Sequence, residues 1–335
     1  MAPKIVTVIG ATGAQGKGVV AAFISNPAYK VRAITRNTTG AAALALVASG
    51  AEVVQADIES PASLSAAFAG SSIIFGVTNF FEPFAAHQSP TKAMDIELQQ
   101  GINIANAAAA VPELEHYIWS TLPNGMAISN GKYLVPHFEA KNKIDAYIRT
   151  QLPALIEKTT FLWITWYHSN YGFPMFKPYF IETAGKYIQF ANYAPETPIV
   201  TIGDVSVNIA PFVKAIVAQP EKTTKGKIVL GATETRGANE MLQTWAGIKG
   251  VQAQMVGVDS KTFYEVWPLW AEEMGIMMEL WEEYGEKSWT DKEAEIVTAK
   301  ELGIEGQFQS LEEGFKTLVF PGMPVLEENQ FGGVA

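Results

Sequence analysis

A glycine-rich stretch near the amino terminus sets the tightest limit on what this chain can become. Residues 8–20, VIGATGAQGKGVV, place Gly10, Gly13, Gly16 and Gly18 between the apolar run KIVTV and the start of a helical segment. Strand, then G-x-x-G-x-x-G, then helix is a dinucleotide fingerprint. Glycines allow the tight turn, let backbone approach a pyrophosphate and let helix lie close on strand, while the first helical amides face the phosphates. Gly10, Thr12, Gly13, Ala14, Gln15 and Gly16 are therefore candidate cofactor contacts. A plain glycine-rich turn is the competing reading.

The context repeats. YKVRAITRN, AEVVQAD, SIIFGVTN and LEHYIWST read as further strands, separated by the helical stretches AAALALVASG, SPASLSAAFAG and DIELQQGINIANAAAA. Such β-α alternation predicts an α/β fold, a Rossmann-type doubly wound parallel sheet that places ligands at the carboxyl ends of its strands. Beyond residue 152 the pattern loosens as proline, tryptophan and tyrosine increase. TTFLWITWYHSNYGFP reads as a sixth strand entering an aromatic loop, GKIVLGAT as a returning strand, and FYEVWPLWAEEMGIMMELWEEYG as helical. The expected organisation is a dinucleotide-binding Rossmann domain over 1–151. Residues 152–335 would complete the sheet and form a smaller, mostly helical lobe for substrate or partner, with a loose tail from Pro321.

Composition narrows the chemistry. A formal net charge of −10 argues against general nucleic-acid affinity, and the absence of cysteine excludes disulfides, thiol nucleophiles and thiolate metal sites. No metal centre is expected. No window approaches the roughly 18 uninterrupted apolar residues of a membrane span, and the first residues lack a secretory pattern, so the expected location is cytoplasmic.

Strand ends supply the remaining cofactor candidates. After the second strand, where NAD-preferring sites carry an acidic residue, the chain has Thr35, Arg36 and Asn37; a cation and hydrogen-bond donors suit a 2′-phosphate, so NADP(H) is the expected cofactor. A solvated Arg36 is the alternative. Asp57 and Ile58 either flank an adenine or cap the third strand. Val77, Thr78 and Asn79 end the fourth strand and fall to the nicotinamide half.

With GATGAQG, VRAITRN, GAEVVQADIES, VTNFFEP, ELQQGINIANAA and PHFEAKNKIDAYIR all in place, residues 4–320 resemble the NmrA-like proteins of the atypical short-chain dehydrogenase group. The resemblance implies a Rossmann fold with a small carboxyl-terminal lobe and a preference for NADP(H). That group is similar in fold to isoflavone-reductase-like enzymes, and it also includes fungal regulators and NADPH sensors that bind cofactor without known turnover. In reductases of the broader superfamily a tyrosine and a lysine four residues later share a helix face. The tyrosine gives up a proton while the lysine holds the ribose. VPHFEAKNKIDAYIR places His137 at the tyrosine position and keeps Lys141. His137 is either a proton donor or a structural hydrogen-bonding group; Lys141 is expected at the ribose, with Lys141→Ala abolishing turnover and sparing the fold.

Ser120 and Thr121 end the fifth strand, where a hydroxyl polarises a substrate oxygen or merely caps the strand. Aromatics crowd the region beyond the sixth strand. Phe80, Trp166, Tyr167, Tyr171 and Phe173 are the candidate substrate wall. Trp267, Trp270, Trp281 and Tyr284 are expected to pack the lobe, and the acidic run MELWEEYGEK to face solvent. Two functions follow. One is an NADPH-dependent reductase of a small apolar carbonyl, enone or imine; the other is a catalytically inactive NADP(H)-sensing regulator that binds a protein partner such as a transcription factor.

Overall fold

The structure, a computed structural model, describes residues 2–320, so the tail from Pro321 lies outside the described residues. The alternation runs β1 (Lys4–Val8), α1 (Ala14–Phe23), β2 (Tyr29–Thr35), α2 (Ala41–Ala48), β3 (Glu52–Gln55), α3 (Pro61–Phe68) and β4 (Ser71–Gly76). It continues through α4 (Phe81–His87), α5 (Pro90–Ala109), β5 (His116–Thr121), α6 (Gly125–Ile128), α7 (Pro136–Gln151) and β6 (Thr159–Ile164). Local chemistry sets these limits. Ser60 and Ser89 cap α3 and α5 with proline at the first helical position, and Gly50, at φ +97°, turns the chain after α2. Helix α4 was not legible in VTNFFEPFAAH, because Pro83 resembles a breaker; it lies in the first turn, where its missing amide costs nothing.

Eight parallel strands form one sheet, ordered β3-β2-β1-β4-β5-β6, then Lys227–Gly231, then Ile296–Val297. Chain direction across the sheet reverses between β1 and β4, which opens a crevice at their carboxyl ends. Side chains alternate across the layers. Ile73, Phe75 and Ile118 pack under α1 and the helix Val205–Ala218, whereas Ile74, Tyr117 and Trp119 pack under α3, α5 and α7. Both layers are tight. A Cβ on Gly18 would lie 2.4 Å from Ile209, and one on Gly101 would lie 2.3 Å from Ile144.

The later half contributes the last sheet strands and a mostly helical lobe, including Ala238–Lys249 and Trp270–Tyr284. It also contains two three-stranded sheets that the sequence pattern did not reveal, one joining Trp166–Tyr167, Pro198–Gly203 and Glu234–Gly237, the other Tyr179–Ile181, Lys186–Ala191 and Ala253–Gly257. No described helix is long and apolar enough to cross a membrane.

Candidate functional site

A cleft of about 820 Å³ opens at the carboxyl ends of the strands, over the switch between β1 and β4. One side is the glycine loop. Gly10 adopts φ +63° and its carbonyl accepts from the Gly13 amide at 2.8 Å, while a Cβ on Gly16 would fall 2.1 Å from that same carbonyl oxygen. The turn therefore closes only with glycine at position 16. The first bond of α1 runs from the Lys17 amide to the Gly13 carbonyl, leaving the amides of Ala14, Gln15 and Gly16 without backbone acceptors at the helix amino end. These donors and the adjoining groove fit a diphosphate.

Gly10, Thr12, Gly13, Ala14, Gln15, Gly16, Arg36, Asn37, Asp57, Ile58, Val77, Thr78, Asn79, Ser120, Thr121, His137 and Lys141 all line this one cleft. So do Phe80, Trp166, Tyr167 and Phe173. Tyr171 does not. It is buried on a 3₁₀ turn (His168–Gly172), its ring centroid 5.3 Å from Phe315 and 6.4 Å from Trp245, so the substrate-wall expectation for Tyr171 is corrected to a core role. Phe81, Phe138, Met274, Met277, Trp281 and Trp289 line the cleft in addition. Trp281 thus joins the wall, while Trp270 stands behind it, stacked on Phe81 at 6.0 Å.

Several expected ligand contacts already have protein partners. Arg36 holds Glu82 through two hydrogen bonds of 2.6 and 2.9 Å, an exposed pair that raises the guanidinium pKa above its ordinary value. Asn37 Oδ1 accepts from the amides of Thr39 and Gly40, which folds the loop. Asn79 likewise accepts from the Phe81 amide at the start of α4.

His137, Lys141 and Asp145 recur every four residues along α7 and so share one face. Each has a carboxylate or hydroxyl partner from another element. Lys141 Nζ donates to Glu97 Oε1 at 2.9 Å, to Thr78 Oγ1 at 3.0 Å and to the Thr78 carbonyl at 3.2 Å. All three ammonium hydrogens are thereby engaged, and Glu97 is fully buried. Asp145 accepts from Thr121 Oγ1 at 2.7 Å and Trp119 Nε1 at 2.8 Å; burial outweighs those bonds and pushes its carboxyl up to about 7. Ser120 lines the cleft beside them with its hydroxyl free of protein partners.

His137 lies in an aromatic recess, its ring centroid 5.3 Å from Phe81 and 6.0 Å from Phe80. Its main-chain amide donates to Glu273 Oε1 at 3.0 Å, and ring Nδ1 contacts the same oxygen. Glu273, from Trp270–Tyr284, is a partner of His137 to which no signal in the sequence pointed. The other proton-bearing groups are less suited to donation. Tyr133 is tied to Glu283 outside the cleft, and burial pushes the Tyr167 phenol, hydrogen-bonded by Gln15 at 2.6 Å, up to about 12. His168 is structural, its Nδ1 3.0 Å from the Gly203 carbonyl.

Fold and cleft define a Rossmann-type protein in which a dinucleotide-sized groove continues into an aromatic chamber. The chain belongs to the NmrA-like family, whose model matches residues 2–313. Among curated relatives, the NmrA-like family domain-containing oxidoreductase hkm9 of Aspergillus hancockii is 28% identical over 77% of this chain and 76% of its own. Solved structures agree in fold. NmrA, a negative transcriptional regulator, was crystallised in complex with NAD (TM-score 0.73) and with NADP (TM-score 0.71), each at 19% identity with 96% of both chains covered. The Citrobacter triphenylmethane reductase complexed with NADP(H) follows at TM-score 0.66 and 20% identity, covering 93% of this chain and 99% of its own.

Proposed function

We propose that the cleft binds NADP(H) and that the protein is an NADPH-dependent reductase of a small, apolar carbonyl, enone or imine compound. One observation carries this reading: the unpartnered amides of Ala14–Gly16 and the aromatic recess around His137 open into a single cavity. The glycine loop would hold the diphosphate, Arg36 and Asn37 the adenosine phosphate, and Val77–Asn79 the nicotinamide half. Lys141 reaches the ribose only by sharing a hydrogen with Glu97 or Thr78, so its first duty is to fix the ends of β4 and α7. When bound, the nicotinamide supplies a hydride.

The chain's own residues supply the rest. Phe80, Phe81, Phe173 and Trp281 bury a flat apolar substrate and exclude water from its reacting carbon. Where that carbon gains the hydride, the oxygen or nitrogen that receives the displaced electron pair, attached directly or through the conjugated double bond, would take a proton from Nε2 of the protonated His137 ring, and the neutral ring left behind would regain one from solvent. Ser120 can donate a hydrogen bond to the same atom. The complete engagement of Lys141 favours one other reading, a cofactor sensor without turnover that contacts a regulatory protein. Absorbance at 340 nm with NADPH and a panel of quinones, enones and cyclic imines tests the pair. Turnover that collapses in His137→Gln supports the reductase, whereas NADPH binding with no oxidation across the panel supports the sensor.

A further inference from the structure

Burying a carboxylate such as Glu273 is costly. Its side chain has no solvent exposure, Oε2 is buried without a protein partner, and Oε1 receives both hydrogen bonds from a single residue, His137. Glu97 is buried with one unpartnered oxygen as well, but its other oxygen is held by an ammonium and a hydroxyl, whereas Glu273 faces the amide and ring of His137 alone. The contact spans 136 positions in the chain, so the lobe delivers this acid to the amino-terminal end of α7, where it meets the amide and the ring of one residue.

The backbone ahead of Glu273 is held in an unusual shape to do so. Leu269, not glycine, adopts φ +66° and ψ −53°, a strained γ-turn in which the Trp270 amide donates to the Pro268 carbonyl at 2.8 Å. The turn launches the helix Trp270–Tyr284, and the Leu269 carbonyl accepts from the Glu273 amide at 3.1 Å. Met274 and Met277, on the same helix, line the cleft. Strain is thus stored one helical turn before the carboxylate that meets His137.

We propose that Glu273 is the positioning residue of this site: it accepts the main-chain and ring Nδ1 hydrogens of His137 and thereby presents Nε2 to the cleft. The assignment follows from donors and acceptors. Oε1 accepts from a main-chain amide, which can only donate, and a carboxylate that already accepts there takes the Nδ1 hydrogen as well. Nδ1 is then committed, and Nε2 is the nitrogen left to the lined cavity. During turnover Glu273 would offset the positive ring that must form each time His137 is reprotonated, without touching substrate itself. This deepens the reductase reading and rests on it for the catalytic part alone.

The test uses the full chain with ¹⁵N-labelled histidine. Only four histidines are present, so His137 is assigned by the signal missing in His137→Gln. Two-bond nitrogen correlations, recorded where the ring is neutral, should show Nδ1 protonated and Nε2 bare in the wild type. In Glu273→Leu the proton should move to Nε2. A wild-type ring protonated at Nε2, or a Glu273→Leu ring with unchanged tautomer, would overturn the proposal.

Glu273→Gln is the variant to use should Glu273→Leu fail to fold. It keeps the acceptor and should keep the tautomer, yet kcat should fall at least tenfold with KM within twofold. Undiminished kcat in folded Glu273→Gln would reduce Glu273 to a structural group. A wild type that reduces nothing defeats the reductase reading instead, and the tautomer measurement still decides the placement of His137.

Discussion

Lys141 of α7 and Glu97 of α5 form a buried ion pair, 2.9 Å between Nζ and Oε1, closed on both sides by Thr78. The pair ties together two helices and the end of β4 at the centre of the cleft. Removing one partner strands the other's charge, which typically destabilises by about 3–5 kcal/mol. Lys141→Ala is therefore expected to lose stability as well as activity, a revision of the fold-sparing outcome that spacing alone suggested. Urea denaturation checks this. The double variant Glu97→Gln/Lys141→Ala should recover part of the loss, and equal losses in single and double variants would show that the charge is not the cause.

Arg36 and Glu82 invite a different experiment. As an exposed pair they contribute only about 0–1 kcal/mol to stability. Their effect should fall on cofactor choice, because Glu82 holds the guanidinium that a 2′-phosphate would need. Arg36→Ala should weaken NADP by roughly 1.5–3 kcal/mol and NAD much less. Glu82→Ala, which frees the arginine, should tighten NADP relative to NAD; equal binding changes for the two nucleotides would make Arg36 a bystander.

Gly16→Ala probes the loop. The added methyl would meet the Gly10 carbonyl at 2.1 Å and the Ala11 Cα at 2.7 Å, both backbone, so the turn itself must move. Thermal unfolding should report a destabilisation of about 1–3 kcal/mol, with cofactor binding lost outright. Retained nucleotide affinity would place the phosphates elsewhere.

Two titratable groups, the buried His116 and the half-buried Asp145, give stability opposite pH slopes. Burial lowers the His116 pKa from 6.5 to about 4, so the unfolded chain takes up a proton that the native chain refuses, and stability falls as pH drops from about 6.5 to 4. Asp145 does the reverse. With its pKa raised from 3.8 to about 7, the native chain keeps a proton that the unfolded chain releases, and stability falls as pH rises through that window. Urea midpoints across pH 4–8 should show a flattened acid limb in His116→Gln and a reduced decline toward neutrality in Asp145→Asn. Unchanged profiles would contradict both assignments.

Much of this was legible because it is local. The turn at Gly10–Gly16, the strand ends at Arg36, Asp57 and Val77, and the four-residue step from His137 to Lys141 are set by short-range geometry, and the parallel sheet then brings them to one edge. What stayed hidden are the acids that pair with them. Glu82, Glu97 and Glu273 lie 46, 44 and 136 positions from Arg36, Lys141 and His137, and a glutamate within a helix looks like a solvated one until the partner is known. Tyr171 failed for a related reason: a short 3₁₀ turn, invisible in composition, directs it to Phe315 rather than the cleft.

The central claim is that the groove above Gly10–Gly16 holds a phosphorylated nicotinamide nucleotide, and titration calorimetry addresses it without assuming a substrate. Folded protein titrated with NADP⁺ and with NADPH should give saturable heat at one nucleotide per chain, abolished in Gly16→Ala. No heat from either nucleotide with a cooperatively folded wild type would contradict the account.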